Sequence, residues 1–134
     1  AALALGACGV QIGTRFYAAR EADTSPLEKR RILEASEEDT VATPIYTGKP
    51  VRMLRSPDVD ESLGLDANWA SSKELATLAS EIRKKARNDP EYVMVVAGQI
   101  SGMIRTIKSA EDIINEIIEG AVPICQKLGL LSKA

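Results

Sequence analysis

The chain has 134 residues, 45% of them apolar, enough for one modest core and too little for two independent domains. Its 17 Lys and Arg stand against 19 Asp and Glu, a formal charge of −2, and aromatics make up only 4%. Neither a field that draws nucleic acid or an anionic membrane nor a base-stacking platform follows, so both partner classes drop out. The sequence holds no His, and Cys8 and Cys125 stand far apart without Cys-x-x-Cys spacing. Zinc sites, His general bases and Ser-His-Asp triads therefore cannot be built from this chain alone, and the two cysteines read as buried thiols in a reducing compartment.

No apolar run approaches the ~20 residues that span a bilayer, and residues 1–10 lack the basic start of a signal peptide, so a soluble protein is expected, cytoplasmic or in the lumen of an organelle whose address has been lost. The chain starts at Ala1, inside an uncapped helix-like pattern that we read as a truncation, with the helix tail ending near Gly6 as a left-handed cap. Gly9-Val10-Gln11-Ile12-Gly13 alternates in period two and predicts a short strand, whose parallel partners the rest of the chain scarcely offers. Ser25-Pro26 opens a charged surface helix to about Ala35, anchored by Leu27, Ile32 and Leu33. Residues 40–47 are β-branched and extended, Gly48-Lys49-Pro50 turns the chain, and Val51-Arg52-Met53-Leu54 continues as a short strand or arm. Residues 56–69 hold Pro57, Gly64 and the acids Asp58, Asp60, Glu61 and Asp66, and predict a loop. Ser72 caps a helix to about Arg87 with Leu75, Leu78, Ile82 and Ala86 on one face, stopped by Asn88-Asp89-Pro90. An apolar run over residues 92–97 precedes the permissive Gly98-Gln99-Ile100-Ser101-Gly102. Ser109 and Asp112 form an imperfect capping box for a last helix with Ile113, Ile114, Ile117, Ile118 and Ala121 on its apolar face; Pro123 is expected to kink or break it and Gly129 to stop it.

The stretch that carries chemistry is Gly9 to Phe16. At the end of a barrel strand, Gly13 lets the backbone approach a phosphate, the amides of Gly13 and Thr14 can point at the anion, and the Thr14 hydroxyl adds a donor. Arg15 either neutralises charge or pairs with an acid elsewhere. On these residues alone a plain strand-to-loop turn is the better explanation.

The whole run Ala1-Ala2-Leu3-Ala4-Leu5-Gly6-Ala7-Cys8-Gly9-Val10-Gln11-Ile12-Gly13-Thr14-Arg15-Phe16 closely resembles the end of the barrel in nitronate monooxygenases (2-nitropropane dioxygenases) and in the related FMN-dependent enoyl-acyl-carrier-protein reductase II. Glu38-Asp39-Thr40-Val41, with Tyr46 to Arg55 and its Gly-Lys-Pro turn, resembles the family's extended arm. Ala97-Gly98-Gln99-Ile100-Ser101-Gly102-Met103-Ile104 resembles the segment before its closing helix, with Ser101 and Met103 in place of the commoner Ala and Leu. The interval over residues 58–88 matches less well.

The resemblance implies an α/β fold, the C-terminal fragment of a (β/α)8 TIM barrel: residues 1–24 as the end of the barrel with its last strand and phosphate loop, residues 25–134 as a mostly helical appended segment. It implies FMN as cofactor, with Gln11, Gly13, Thr14 and Arg15 as cofactor-binding candidates, and a small-molecule substrate, a nitronate or an enoyl thioester. A first phosphate glycine pair, and the His associated with the flavin, are expected upstream of Ala1, with the missing barrel portion as partner; no residue here is assigned as catalytic or metal-ligating.

Other residues carry two readings each. Arg52 and Arg55 either anchor an anion or, preferably, pair locally. Gln99 either bonds near the flavin or, preferably, satisfies buried backbone groups. Tyr46, Tyr92, Met94 and Met103 read as core, Cys8 as inert, and the acidic cluster Glu34, Glu37, Glu38 and Asp39 as a solvated face. A different class stays open: a non-catalytic fragment acting only as a structural or interaction piece, binding FMN weakly and prone to associate.

Overall fold

In the computed structural model, which describes residues 1–46, 49–62, 72–89 and 92–131, the elements in chain order are α1 (Thr14–Tyr17), α2 (Pro26–Glu34), β1 (Thr40–Thr43), β2 (Val51–Leu54), α3 (Pro57–Ser62), α4 (Ser72–Ala86) and α5 (Ala110–Leu131), with 3-10 turns at Leu3–Leu5 and Gln99–Met103. They gather into two units, Asp23–Thr106 and Ala1–Ala22 with Ile107–Ala134.

The Asp23–Thr106 unit is specified by local chemistry at its start. Ser25 Oγ accepts the Glu28 N–H at 3.2 Å, and Glu28 Oε2 accepts the Ser25 N–H at 2.8 Å, a reciprocal box that satisfies two otherwise orphaned donors of α2. At the other end, Arg105 Nη1 donates to the carbonyls of Ala35 at 2.9 Å and Leu33 at 3.3 Å, so a residue seventy positions away closes the helix C-terminus. β1 and β2 pair antiparallel, Thr40 opposite Leu54 and Thr43 opposite Val51. The Gly-Lys-Pro turn between them falls partly on Thr47 and Gly48, which lie outside the described residues. The second margin of β2 is taken by the predicted apolar run: Leu54 N–H donates to Val95 O at 2.9 Å, Ala97 N–H to Arg52 O at 3.2 Å, and Met53 bridges Val96.

Ile45, Met53, Val59 and Ile82 form the buried centre, with Val41, Val51, Leu78, Met94 and Val96 packed around it. Each such side chain taken fully from water contributes about 1.5–3 kcal/mol. The helix predicted from residue 72 forms and delivers Ile82; the Ser72, Leu75 and Ala86 side chains and Pro90 lie outside the described residues. Where a loop is predicted over residues 56–69, a helical turn and a half forms instead at Pro57–Ser62. Proline presets the backbone angle of a first helical residue, and Ser56 Oγ accepts the Val59 N–H at 3.4 Å; residues 63–69 lie outside the described residues.

In the Ala1–Ala22 and Ile107–Ala134 unit, Gly6 takes the left-handed cap (φ 94°) expected of it, its N–H on Leu3 O at 3.0 Å. Residues 9–13, predicted as a strand, run without strand pairing, and Val10 is 57% exposed. A parallel strand is held by neighbours that these residues do not find among the described residues, and alternation alone does not form it. α1 is a single unpredicted turn. α5 begins as predicted: Ser109 Oγ accepts the Asp112 N–H at 3.0 Å, and an Asp112 carboxylate oxygen accepts the Ser109 N–H at 3.4 Å. It does not break at Pro123 or stop at Gly129 but runs to Leu131; proline costs a helix one hydrogen bond, and the turns before and after it carry the loss. Ile113 is buried, whereas Ile114, Ile117, Ile118, Val122, Ile124 and Leu128 are exposed. Cys8 and Cys125, expected to be buried, are exposed free thiols. No helix among the described residues is long and apolar enough to cross a membrane.

Candidate functional site

The Gly13-Thr14 corner is where the irregular run from residue 7 turns into α1. Gly13 is the N-cap residue at φ −95°, ψ −74°, and its carbonyl accepts the Tyr17 N–H at 2.9 Å, closing the single turn. Gly13 is exposed, and a Cβ placed on it would meet nothing within 4 Å. An anion can therefore reach the backbone here. First-turn amides of a helix have no acceptor inside it, and they point out of its leading end. Thr14 and Arg15 are half-buried and Gln11 is exposed, so a hydroxyl, a guanidinium, an amide and open backbone lie within five residues. That donor set suits a phosphate; four residues of helix add little dipole, so fixed donors rather than a macrodipole would do the holding.

Behind the corner the chain is anchored. Ala18 and Ala19 are buried, Arg20 N–H donates to Lys108 O at 2.9 Å, and Glu21 Oε2 accepts the Ala110 N–H at 2.9 Å. Sequence reading missed Glu21. A lone acid in a charged tract carries no local signal when its partner amide is 89 positions away.

The remaining candidates resolve as follows. Arg52 donates to Thr40 O at 3.3 Å and Thr40 Oγ1 at 3.1 Å, and Arg55 pairs with Asp60 at 2.7 Å, so both are engaged locally. Gln99 is exposed rather than turned to buried backbone; the buried polar group of that segment is Ser101, whose hydroxyl donates to Gly98 O at 2.9 Å. The reason for the tight glycine is next to it, since a Cβ on Gly102 would stand 2.6 Å from Glu37 N. Met103 and Tyr46 are not core: Met103 is 78% exposed, lying on a 3-10 turn whose inward position Ser101 occupies, and Tyr46 is 36% exposed. Met94 packs on the core, and Tyr92 sits half-buried with the Lys85 ammonium 5.2 Å from its ring.

The acidic cluster is a solvated face. Glu34 pairs with Arg30, and Asp39 is held below the usual carboxylate range by the Ser36 amide and hydroxyl it accepts from, with Arg55 adding to the effect. A groove of about 240 Å³ lined by Arg31, Glu34, Ala35, Asp39, Leu54 and Arg55 balances two cations against two acids. Arg31 already donates to Val93 O at 2.7 Å and to Arg55 O, so these guanidinium donors are not turned to an anion in the groove. Among the described residues no group of three or more Cys, Asp and Glu stands together as a metal site.

The chain is an α/β segment with a two-stranded antiparallel sheet and helices. A nitronate monooxygenase profile matches residues 1–120, and the chain belongs to that family. It is 31% identical over 126 residues to a probable nitronate monooxygenase of Bacillus subtilis, the match covering 92% of this chain and 36% of that protein. It is 32% identical over 128 residues to one of Staphylococcus aureus, covering 94% and 36%. In three dimensions it is similar to FabK from Thermotoga maritima, with a TM-score of 0.73 and 34% identity over 95% of this chain and 41% of that one. The chain thus spans about a third of the length of the curated relatives it matches.

Proposed function

We propose that this chain supplies the phosphate end of an FMN site in a flavin-dependent oxidoreductase, most specifically a nitronate monooxygenase acting on alkyl nitronates. The observation that carries the reading is the open backbone at Gly13 inside the stretch matched to the family. Gly13 and Thr14 would hold the phosphate through amides and hydroxyl, with Arg15 neutralising charge and Gln11 adding an amide at the rim. FMN supplies the redox chemistry when bound; the protein binds, orients and excludes water. Residues 1–24 then close the barrel, residues 25–134 pack on it, and the whole enzyme works in the cytoplasm.

The 134 residues alone hold one phosphate loop and bind FMN weakly, since one loop buries too little of a flavin. Expressed with the coding sequence upstream of residue 1, the protein should purify yellow and take up oxygen with alkyl nitronates in the absence of NAD(P)H. Enoyl-thioester reduction with a nicotinamide donor, and no nitronate-dependent uptake, would assign it to the reductase branch instead. A colourless protein inert in both assays would leave only the structural-fragment reading.

A further inference from the structure

The unit of Ala1–Ala22 and Ile107–Ala134 leaves two needs unmet. Residues 9–13 alternate like a strand and find no strand partner among the described residues. α5 is amphipathic: Ile114, Ile117, Ile118, Ala121, Cys125 and Leu128 recur at three- and four-residue steps along one side, with Glu116, Glu119 and Lys127 on the other. Ile113, at the margin of the apolar side, is buried, whereas Ile118 near its middle is 54% exposed and Cys125 and Leu128 are open as well. The unit's own residues thus cover one margin of the helix and leave the rest of its face bare. A continuous apolar stripe of this kind marks a surface that is covered in the working protein. An anionic lipid surface is a poor cover, because Ala110–Leu131 carries Glu111, Asp112, Glu116 and Glu119 against the single cation Lys127.

In a parallel α/β barrel each strand is followed by a helix that returns along the outside and lies over neighbouring strands. After residues 9–13 come α1, a single turn, and then α2, α3 and α4, whose Ile32, Val59 and Ile82 are buried within Asp23–Thr106. Among the described residues the next α-helix is α5, and it gathers with residues 1–22. There the Arg20 N–H on Lys108 O and the Glu21 carboxylate on the Ala110 N–H, both at 2.9 Å, join its start to the stretch that follows residues 9–13. The chain spans 36% of the length of its curated relatives, and in a polypeptide of that length the same preceding residues can supply both strand neighbours and a cover for α5.

Resting on the reading of residues 1–24 as the end of a barrel, we propose that the bare face of α5 is seated on the barrel formed by the polypeptide preceding residue 1. α5 is then the helix that completes the last strand, and residues 23–106 are an excursion between that strand and its helix. Cys125, an exposed thiol in this chain, becomes covered, while Glu116 and Glu119 stay in water.

The test compares the 134-residue chain with the protein expressed together with the coding sequence upstream of residue 1. Alkylation of Cys125, mapped by peptide mass, should be about ten-fold or more slower in the longer protein, at a rate independent of protein concentration. Ile118→Ala should lower the melting temperature of the longer protein by a few degrees and leave that of the shorter chain in place; Glu119→Ala, on the polar side, should move neither. Hydrogen exchange at residues 9–13 reads the barrel separately. Slow exchange there in the longer protein, beside a Cys125 that reacts as fast as in the shorter chain or an Ile118→Ala variant that melts as its parent does, overturns the seating of α5 and keeps the barrel. Fast exchange at residues 9–13 in the longer protein removes the barrel, and the seating of α5 with it. Protection of Cys125 that appears only as protein concentration rises makes a second copy of the chain the cover and likewise overturns the proposal.

Discussion

The two units solve the problem of burial differently. In Asp23–Thr106, Ile32, Ile45, Met53, Val59, Ile82 and Val95 are all essentially inaccessible, supplied by a hairpin, three helices and a third extended segment. In the unit of Ala1–Ala22 and Ile107–Ala134, Ile113 is buried together with Ala18 and Ala19, while Leu5 is 88% exposed and Ile114, Ile117, Ile118 and Leu128 face solvent. The first is held by its core, the second by caps and backbone clasps. A core is insensitive to any single hydrogen bond; a clasp is not, which makes the second kind of unit the natural place for a ligand-dependent element.

The largest effect that separates them is core truncation. Ile82→Ala should cost about 2–5 kcal/mol in chemical denaturation, whereas Ile118→Ala in this chain should stay within about 0.5 kcal/mol. Equal losses at the two positions would break the contrast and mean that α5 is covered in solution. Gly102→Ala comes next, at about 1–3 kcal/mol, because the added carbon would meet the Glu37 backbone at 2.6 Å; Gly13→Ala, in open space at negative φ, should melt as the parent does.

Acid should then act on the caps. Asp112 is held below its ordinary value of 3.8, first by the Ser109 hydroxyl and then by the Ser109 amide. A carboxyl lowered in the folded state favours folding above that ordinary value, and the contribution is lost as the pH falls through the lower folded one. Helicity should therefore drop below about pH 4 in the wild type and lose that transition's α5 component in Asp112→Asn; an identical acid titration of the two proteins would remove the assignment. The smallest effect is chemical: Cys8 and Cys125 should both react with a thiol reagent without denaturant and without a change in melting temperature, and protection of both thiols would contradict their exposure.

What was legible in the sequence was whatever local chemistry decides. Ser25-Pro26, and Ser109 with Asp112, announced two helix starts, and the β-branched residues 40–47 announced an extended stretch whose first four residues form β1. Illegible were the features settled by distant partners. Residues 9–13 carry the right alternation and no neighbour to pair with; Pro57 looked like a breaker and is a first helical residue. Pro123 looked like a stop in a helix long enough to pass through it, and Met103 lost its inward place to Ser101. At the candidate site the four cofactor-binding candidates were named from resemblance, and their accessibility came from the backbone turn. Glu21, Arg31 and Arg105 act across intervals of 60 to 90 residues, at which a linear string is silent.

The bonds from Leu54 and Arg52 to the 95–97 segment have one more consequence. With β1 on one side and that segment on the other, β2 has no unsealed margin, so within the hairpin a foreign strand meets β1 rather than β2. That offers only four residues, Thr40–Thr43, two of them threonines already buried. Such a short and partly polar landing place is a poor nucleus for fibrils.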